Sequence, residues 1–243
     1  MNSKVIAGTV VGTVFVSLIC GCQSNLGQNG MGVALFQQGR LPEAMQQFEL
    51  ARQSDPSNPD VYYNLASTYH RLGNNAKDAK MLETAESLYN QCLDLSPDHV
   101  DSHRGLAVLL VDTKRSDKAF TLLKNWSKRN PMLADARVEL ARLHQEFNQQ
   151  KIAEQYLDEA LAIDSNSAKA WAAKGRLRES NGELMQAVQN YQQSLAINSN
   201  QPELFQRVSS LQVRMAQGGA ATGSNLANNA NGQPGSAGQP ARY

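Results

Sequence analysis

A step of 34 residues runs through the middle of this chain. Ala85, Ala119, Ala153 and Ala187 are spaced by it, and so are Pro97 and Pro131, whose series continues as Ser165 and Ser199. Leu106 and Leu140 keep the same step, as do Ala107, Ala141 and Gly175. Upstream, Gly39 and Gly73 are one step apart, as are Met31 and Leu65, both large and apolar. Ala44 to Ala85 and Pro56 to Pro97 each measure 41 residues, one step plus seven. A period of this length means a stack of small units. Each is too thin to bury its own apolar face, so neighbours must cover it.

Inside a unit the pattern is helical. Ala153, Tyr156, Leu157, Ala160, Leu161 and Ile163 fall three or four residues apart, along one side of a helix. Gly39, Gly73 and Gly182 supply the positive φ at which a helix ends. Asp55-Pro56, Asn130-Pro131 and Asp164-Ser165 break the chain between units. The reading is an all-α solenoid of about five helix–turn–helix repeats over residues 25–201. The units fall at 25–58, 59–99, 100–133, 134–167 and 168–201, with a capping helix over 202–217. Leu204, Phe205, Val208 and Leu211 are expected to cover the end of the array, with Arg207 and Arg214 outward. The extra seven residues of the second unit lie between Gly73 and Ala85 and amount to about two turns. They are expected to start that unit's second helix early.

Three places depart from the pattern. Trp126 stands where Ala51, Ala160 and Ser194 stand in other units and needs local repacking. Cys92 holds the same position and reads as a small buried apolar residue. Lys174 and Arg178 replace apolar positions in the fifth unit, which predicts a more exposed first helix there. The first unit opens with NLGQNGMGVALFQQG, whose four glycines cost about 1 kcal/mol each in a helix interior, so residues 22–30 are expected to be a tether.

These residues resemble the tetratricopeptide repeat family. GRLPEAMQQFELARQSDP in the first unit carries Gly39 in the turn, Ala44 and Ala51 at close contacts, Phe48 as the large filler and Pro56 at the end. The fifth unit supplies Trp171, Gly175, Gly182, Ala187 and Tyr191. The resemblance implies protein or peptide partners bound on a concave inner face made by the first helices. By register that face holds Tyr63, Asn64, Ser67, His70 and Arg71, then Arg104, Val108 and Asp112. It continues with Val138, Glu139, Arg142 and Gln145, then Ala172, Arg176 and Glu179. One subclass clamps a terminal carboxylate with Lys and Asn in one unit, Asn in the next, and Lys and Arg in a third. Asn64 matches its middle position; Asn29, Val33, Asp101 and Gly105 do not match the others.

The N-terminal residues, MNSKVIAGTVVGTVFVSLICGC, place one cation, Lys4, before a short apolar run from Val5 to Ile19. That pattern describes a signal peptide over residues 1–21, since a spanning helix needs about 20 apolar residues. Ile19-Cys20-Gly21-Cys22 resembles the lipobox of bacterial lipoproteins, which implies cleavage before Cys22 and acylation of its thiol. Stable anchoring by two or more acyl chains follows. Gln23, rather than Asp, implies by the same resemblance an outer-membrane lipoprotein facing the periplasm in a Gram-negative envelope. An uncleaved signal anchor is the alternative. Of three cysteines, Cys20 leaves with the signal peptide and Cys22 is acylated. Cys92 then has no intrachain disulfide partner. From Gly218 to Tyr243 the chain has one charged side chain and is expected to be disordered.

The charge balance, 23 Lys and Arg against 22 Asp and Glu, argues against a nucleic-acid partner. No nucleophile elbow, P-loop, dinucleotide fingerprint or CxxC pair is present. The reading is therefore a scaffold without cofactor or catalytic residues. Repeat arrays often self-associate, so a homo-oligomer stays open. His99 and His103, with Asp98 and Asp101 nearby, have a spacing that could hold a metal on a helix face, which keeps a metal protein or enzyme as the reading from another class. Register instead puts His103 where Tyr62 and Trp171 stand, a packing position. His70 and His144 have no obvious partner.

Overall fold

A computed structural model describes residues 27–230, and side chains through Gln217. Among the described residues there are eleven helices and no strand. The chain divides into two compact units, Met1–Pro56 and Ser57–Tyr243.

The first unit is a hairpin of α1 (Gln28–Gln37) and α2 (Leu41–Ser54), turned at Gly39 with φ 78°. Helix therefore begins at Gln28, inside the segment expected to be a tether. The reason is close packing. A Cβ on Gly32 would lie 2.4 Å from the Phe48 ring, so the glycine lets α2 bring a large ring against α1. Residues 1–26, which hold the expected signal peptide, the lipidation site Cys22 and the start of the tether, lie outside the described residues.

The second unit stacks four more hairpins. They are α3 (Pro59–Ala76) with α4 (Ala79–Leu95), α5 (Val100–Asp112) with α6 (Ser116–Arg129), α7 (Ala134–Glu146) with α8 (Gln150–Ile163), and α9 (Ala168–Ser180) with α10 (Leu184–Ile197). The long α11 (Pro202–Ala230) follows. Each second helix packs on its own first helix and on the next one. In addition α3 touches α5, α5 touches α7 and α7 touches α9. The first helices therefore form a continuous layer.

The alanines that set the period are its contact points. Ala44, Ala85, Ala119, Ala153 and Ala187 are all fully buried. Sixteen residues after a small residue of the first helix comes the large filler of the second. Gly32 pairs in this way with Phe48, Ala107 with Leu123, Ala141 with Leu157, and Gly175 with Tyr191. Glycine stands opposite rings and alanine opposite leucine. A Cβ on Gly175 would meet the Tyr191 ring at 2.4 Å. The second repeat breaks the rule with Ala66 facing Tyr89. There the ring lies over Gly105 of α5 instead, where a Cβ would sit 2.6 Å away.

The turns report how the insertion is absorbed. Within the hairpins the left-handed residues are Gly39, Lys77, Lys114, Asn148 and Gly182. The last three are one step apart, whereas Gly39 to Lys77 is 38 residues and Lys77 to Lys114 is 37. Four residues have gone into α3 and three into α4, instead of two turns into α4 alone. Each arm gains close to one turn, so the apolar stripes stay in phase. Gly73 is consequently not a turn residue. It is buried within α3, where Leu82 and Met81 of α4 leave no room for a side chain.

Two further expectations are corrected. Lys174 and Arg178 do not leave α9 exposed: Lys174 reaches Asp158 at 2.6 Å, and Arg178 bonds Glu154 and Glu183. Acids on α8 and at the turn into α10 accept the charges that replaced apolar groups. On α11 the packed stripe is Leu204, Val208, Leu211 and Met215, spaced 4, 3 and 4 residues. Phe205, one position round the helix, is 65% exposed. The helix also continues to Ala230, beyond the expected cap and into the stretch whose composition predicts disorder. No proline interrupts it before Pro234.

Candidate functional site

The layer of first helices in the second unit carries every sequence-predicted partner-binding residue. Tyr63, Asn64, Ser67, His70 and Arg71 are on α3, Arg104, Val108 and Asp112 on α5, Glu139, Arg142 and Gln145 on α7, and Arg176 and Glu179 on α9. Residues one step apart come to the same side of neighbouring helices, because each hairpin repeats the same packing.

Several of these residues are tied to one another across the layer. His70 places Nε2 3.0 Å from Asp112 Oδ2, and Asn74 donates to the same oxygen at 2.9 Å. The His70 ring also meets Tyr89 edge-on, and the Tyr89 hydroxyl lies 3.3 Å from Ser67 Oγ. His70 thus does have a partner, one the sequence could not reveal because it is 42 residues away. Glu139, only 2% exposed, accepts from Arg104 Nε at 2.9 Å and Nη2 at 2.6 Å. Arg104 also reaches Asp101 at 2.9 Å. At the far end Glu179 accepts from Tyr191 Oη, from Arg207 Nε at 3.0 Å and from Arg207 Nη2 at 2.5 Å. Arg207, expected to point outward, therefore belongs to this layer. Helical spacing placed it off the apolar stripe but could not tell which side of α11 faces α9.

The remaining cations are less well matched. Arg142 Nε is 3.7 Å from Glu139 Oε1 and makes no hydrogen bond. Burial pulls the Arg142 pKa down to about 10, against the attraction of Glu139. Burial lowers Arg176 too, and it has no hydrogen bond or ion pair among the described residues. Arg104 moves the other way, raised by its bond to Glu139. Glu146 is raised by burial and then by the neighbouring charges of Asp112 and Glu139. Two cavities open here. One of about 250 Å³ is lined by Arg104, Val108, Arg142, Leu143 and Glu146 among others. Another of about 540 Å³ lies between α9, α10 and α11, beside Arg176, Glu179 and Arg207.

The histidine pair does not converge on a metal. His99 caps α5, its Nδ1 accepting from the Ser102 amide at 3.1 Å, while Nε2 is 3.0 Å from Asp60 Oδ1. The Cys92 side chain and then Asp60 push its pKa up to about 9. His103 donates from Nε2 to the Pro97 carbonyl at 2.9 Å, as Trp171 donates to the Ser165 carbonyl at the equivalent place. Its ring stacks on Trp126, with centroids 4.0 Å apart and planes at 14°. Burial lowers its pKa, and Nδ1 has no partner. His144 is held between Phe120 and Tyr156 and bonds Gln149 at 2.5 Å. Among the described residues no group of three His, Cys, Asp or Glu could hold a metal ion. Nor is any helix among them long and apolar enough to cross a membrane.

Stacked hairpins with small residues at every close contact define a helical-repeat protein, and the family comparisons agree. A TPR repeat model matches residues 32–73, and two tetratricopeptide repeat models match 76–135 and 133–163. The chain belongs to the tetratricopeptide repeat family. Among solved structures it is similar to TTC0263, a thermophilic TPR protein of Thermus thermophilus. Identity there is 23%, covering 76% of this chain and 97% of that one with a TM-score of 0.58. It also aligns with YrrB, a TPR protein with an unusual peptide-binding site, at 16% identity over 74% of this chain and 89% of that one, TM-score 0.41. MamA aligns at 16% identity, covering 72% and 92%, TM-score 0.41. No curated protein matches the chain.

Proposed function

We propose that this protein is a lipid-anchored scaffold of the bacterial cell envelope that binds protein or peptide partners on its layer of first helices. The observation that carries the binding half is that layer itself. It is continuous from α3 to α9, unlike the second helices, and it combines exposed apolar groups such as Val108 with charged groups of both signs. An extended peptide with polar and apolar side chains suits such a surface. The anchoring half rests on the sequence Ile19-Cys20-Gly21-Cys22 and on the signal-like run before it. Acylation of Cys22 would hold the repeats at the membrane and raise their effective concentration for envelope partners, such as components of pilus, secretion or cell-wall assembly. No residue cluster in the layer is arranged for catalysis, so the reading is of a binder and not an enzyme.

Two measurements test these halves separately. A photo-crosslinking amino acid placed at Val108 is expected to give discrete adducts in intact cells. The same group at Met185 of α10, 66% exposed, is expected to give none. Adducts from Met185 alone would refute the assignment of the face. Mass spectrometry of the mature protein is expected to find acylated Cys22 as the first residue; an intact Met1 would leave only the uncleaved anchor.

A further inference from the structure

We infer that the face takes a short acidic peptide segment, with two carboxylates seated on Arg142 and Arg176. The inference rests on the proposed binding face and names the chemistry of its ligand. Its basis is an accounting of charges along the layer. Glu139 is buried and gives both oxygens to Arg104. Glu179 gives both oxygens to Arg207 and accepts from Tyr191 as well. Between these two closed pairs stand Arg142, whose Nε is buried without a hydrogen bond, and Arg176, which has no partner among the described residues. A guanidinium carries five donors and cannot shed its proton near neutral pH. Two desolvated guanidinium groups without carboxylates are a site waiting for anions.

Spacing selects the form of the anion. Arg142 and Arg176 are one step apart, at the same position of neighbouring helices α7 and α9. Packed helix axes lie roughly 8–10 Å apart. In an extended peptide, residues i and i+2 point the same way about 7 Å apart. Flexible arginine arms cover the difference, and each carboxylate then receives a forked, charge-assisted pair of hydrogen bonds. A single terminal carboxylate would leave one arginine unmatched. The surroundings set limits on both sides. Toward α5, Glu146 and Asp112 repel a third acid, and the cavity lined by Val108 and Leu143 favours an apolar side chain there. The preferred segment is therefore apolar next to an acid–x–acid triplet.

The test is fluorescence anisotropy of the whole protein with an N-acetylated, C-amidated dodecamer. Its centre is Leu-Ser-Glu-Ser-Glu, with serine and glycine flanks. Comparison peptides carry Gln for both Glu, or no acid and a free C-terminal carboxylate. The Glu peptide should bind the wild type at least about tenfold more tightly than the Gln peptide, since a charged hydrogen bond is worth about 1.5–3 kcal/mol. That advantage should vanish in Arg142→Ala/Arg176→Ala. Circular dichroism checks that the variant folds; Arg142→Gln/Arg176→Gln, which keeps the side-chain stems, replaces it if not. Equal binding of Glu and Gln peptides, weakened for both by Val108→Trp, overturns the acidic ligand and leaves the face in place. Preference for the free C-terminal carboxylate overturns the internal segment. Arginine-dependent binding that Val108→Trp does not touch retains the acidic pair but removes the apolar pocket. No binding of any peptide overturns the inference, and the crosslinking experiment then decides the face on its own.

Discussion

Trp126→Ala pits consensus against structure. Ala51 and Ala160 hold the same place in other repeats, so a repeat consensus would recommend alanine. The structure says the opposite. Trp126 is fully buried, stacks on His103 at 4.0 Å and donates from Nε1 to Asp98 Oδ1 at 3.0 Å. Asp98 Oδ1 also accepts from Asn130 at 2.6 Å, so the ring is one member of a polar junction between the second and third repeats. Truncating a buried Trp costs about 3–5 kcal/mol, and an aromatic stack adds about 0.5–1.5 kcal/mol beyond area. The junction would also lose its filler while His103 stays behind with an unpartnered Nδ1. The expected loss is about 4 kcal/mol, a large part of the stability of an ordinary domain. Urea denaturation followed by helical circular dichroism measures it. Repeat arrays can unfold in parts, so the transition must first be shown to be single. Cys92→Ala, at the same register and equally buried, is the control and should cost about 1 kcal/mol, the removal of one small group. If Trp126→Ala loses no more than Cys92→Ala, the junction is not what holds those repeats together.

Gly175→Ala should destabilise by about 1–2 kcal/mol, because its Cβ would press on Tyr191 by more than the helix gains from alanine. Adding Tyr191→Leu should recover part of the loss in thermal melts, since leucine faces alanine in the third and fourth repeats; a worse double variant would refute the pairing rule. Lys77→Gly should stabilise by about 1 kcal/mol, because Lys77 sits at φ 54° where Gly39 and Gly182 do so without strain. Glu139→Ala should cost about 3 kcal/mol, leaving Arg104 and Arg142 facing each other without their shared carboxylate. The His103 pKa is depressed below its unfolded value of about 6.5, so its contribution is complete above that pH and is lost as pH falls through the folded value. Denaturation midpoints from pH 7 to pH 5 should accordingly fall less steeply in His103→Phe than in the wild type.

Much of the fold was legible because the period is a packing rule written in residue size. Alanine every 34 residues reads as a close contact, and burial of all five confirms it. Cys92 and His103 were placed by register alone. The misplacements share one cause, which is that sequence spacing shows which residues lie on a helix side but not what stands opposite. Gly73 looked like a turn glycine because it lies one step from Gly39, yet its task is to admit Leu82 and Met81. Lys174 and Arg178 looked unfit for a packed helix until Asp158, Glu154 and Glu183 appeared beside them. Phe205 and Arg207 were assigned by hydrophobicity, whereas the orientation of α11 decides that the arginine is inside the layer and the ring outside. The candidate face was legible as a set of positions. Its pairing was not, because Arg104 and Glu139, or His70 and Asp112, meet only after the hairpins stack.

The four-and-three division of the extra residues in α3 and α4 has a consequence for how this hairpin can change length. Each amino acid added to a helix rotates everything beyond it by about 100°. Growth by one or two in either arm would swing Gly73 or Leu82 away from its counterpart and turn polar groups inward. Only near-integral turns, matched on both arms, leave the interlock intact. The tip at Lys77–Asp78 is thus a quantised extension, the one spot in the second unit already shown to tolerate such a splice. An engineer wishing to graft a peptide loop there should add whole turns in facing pairs.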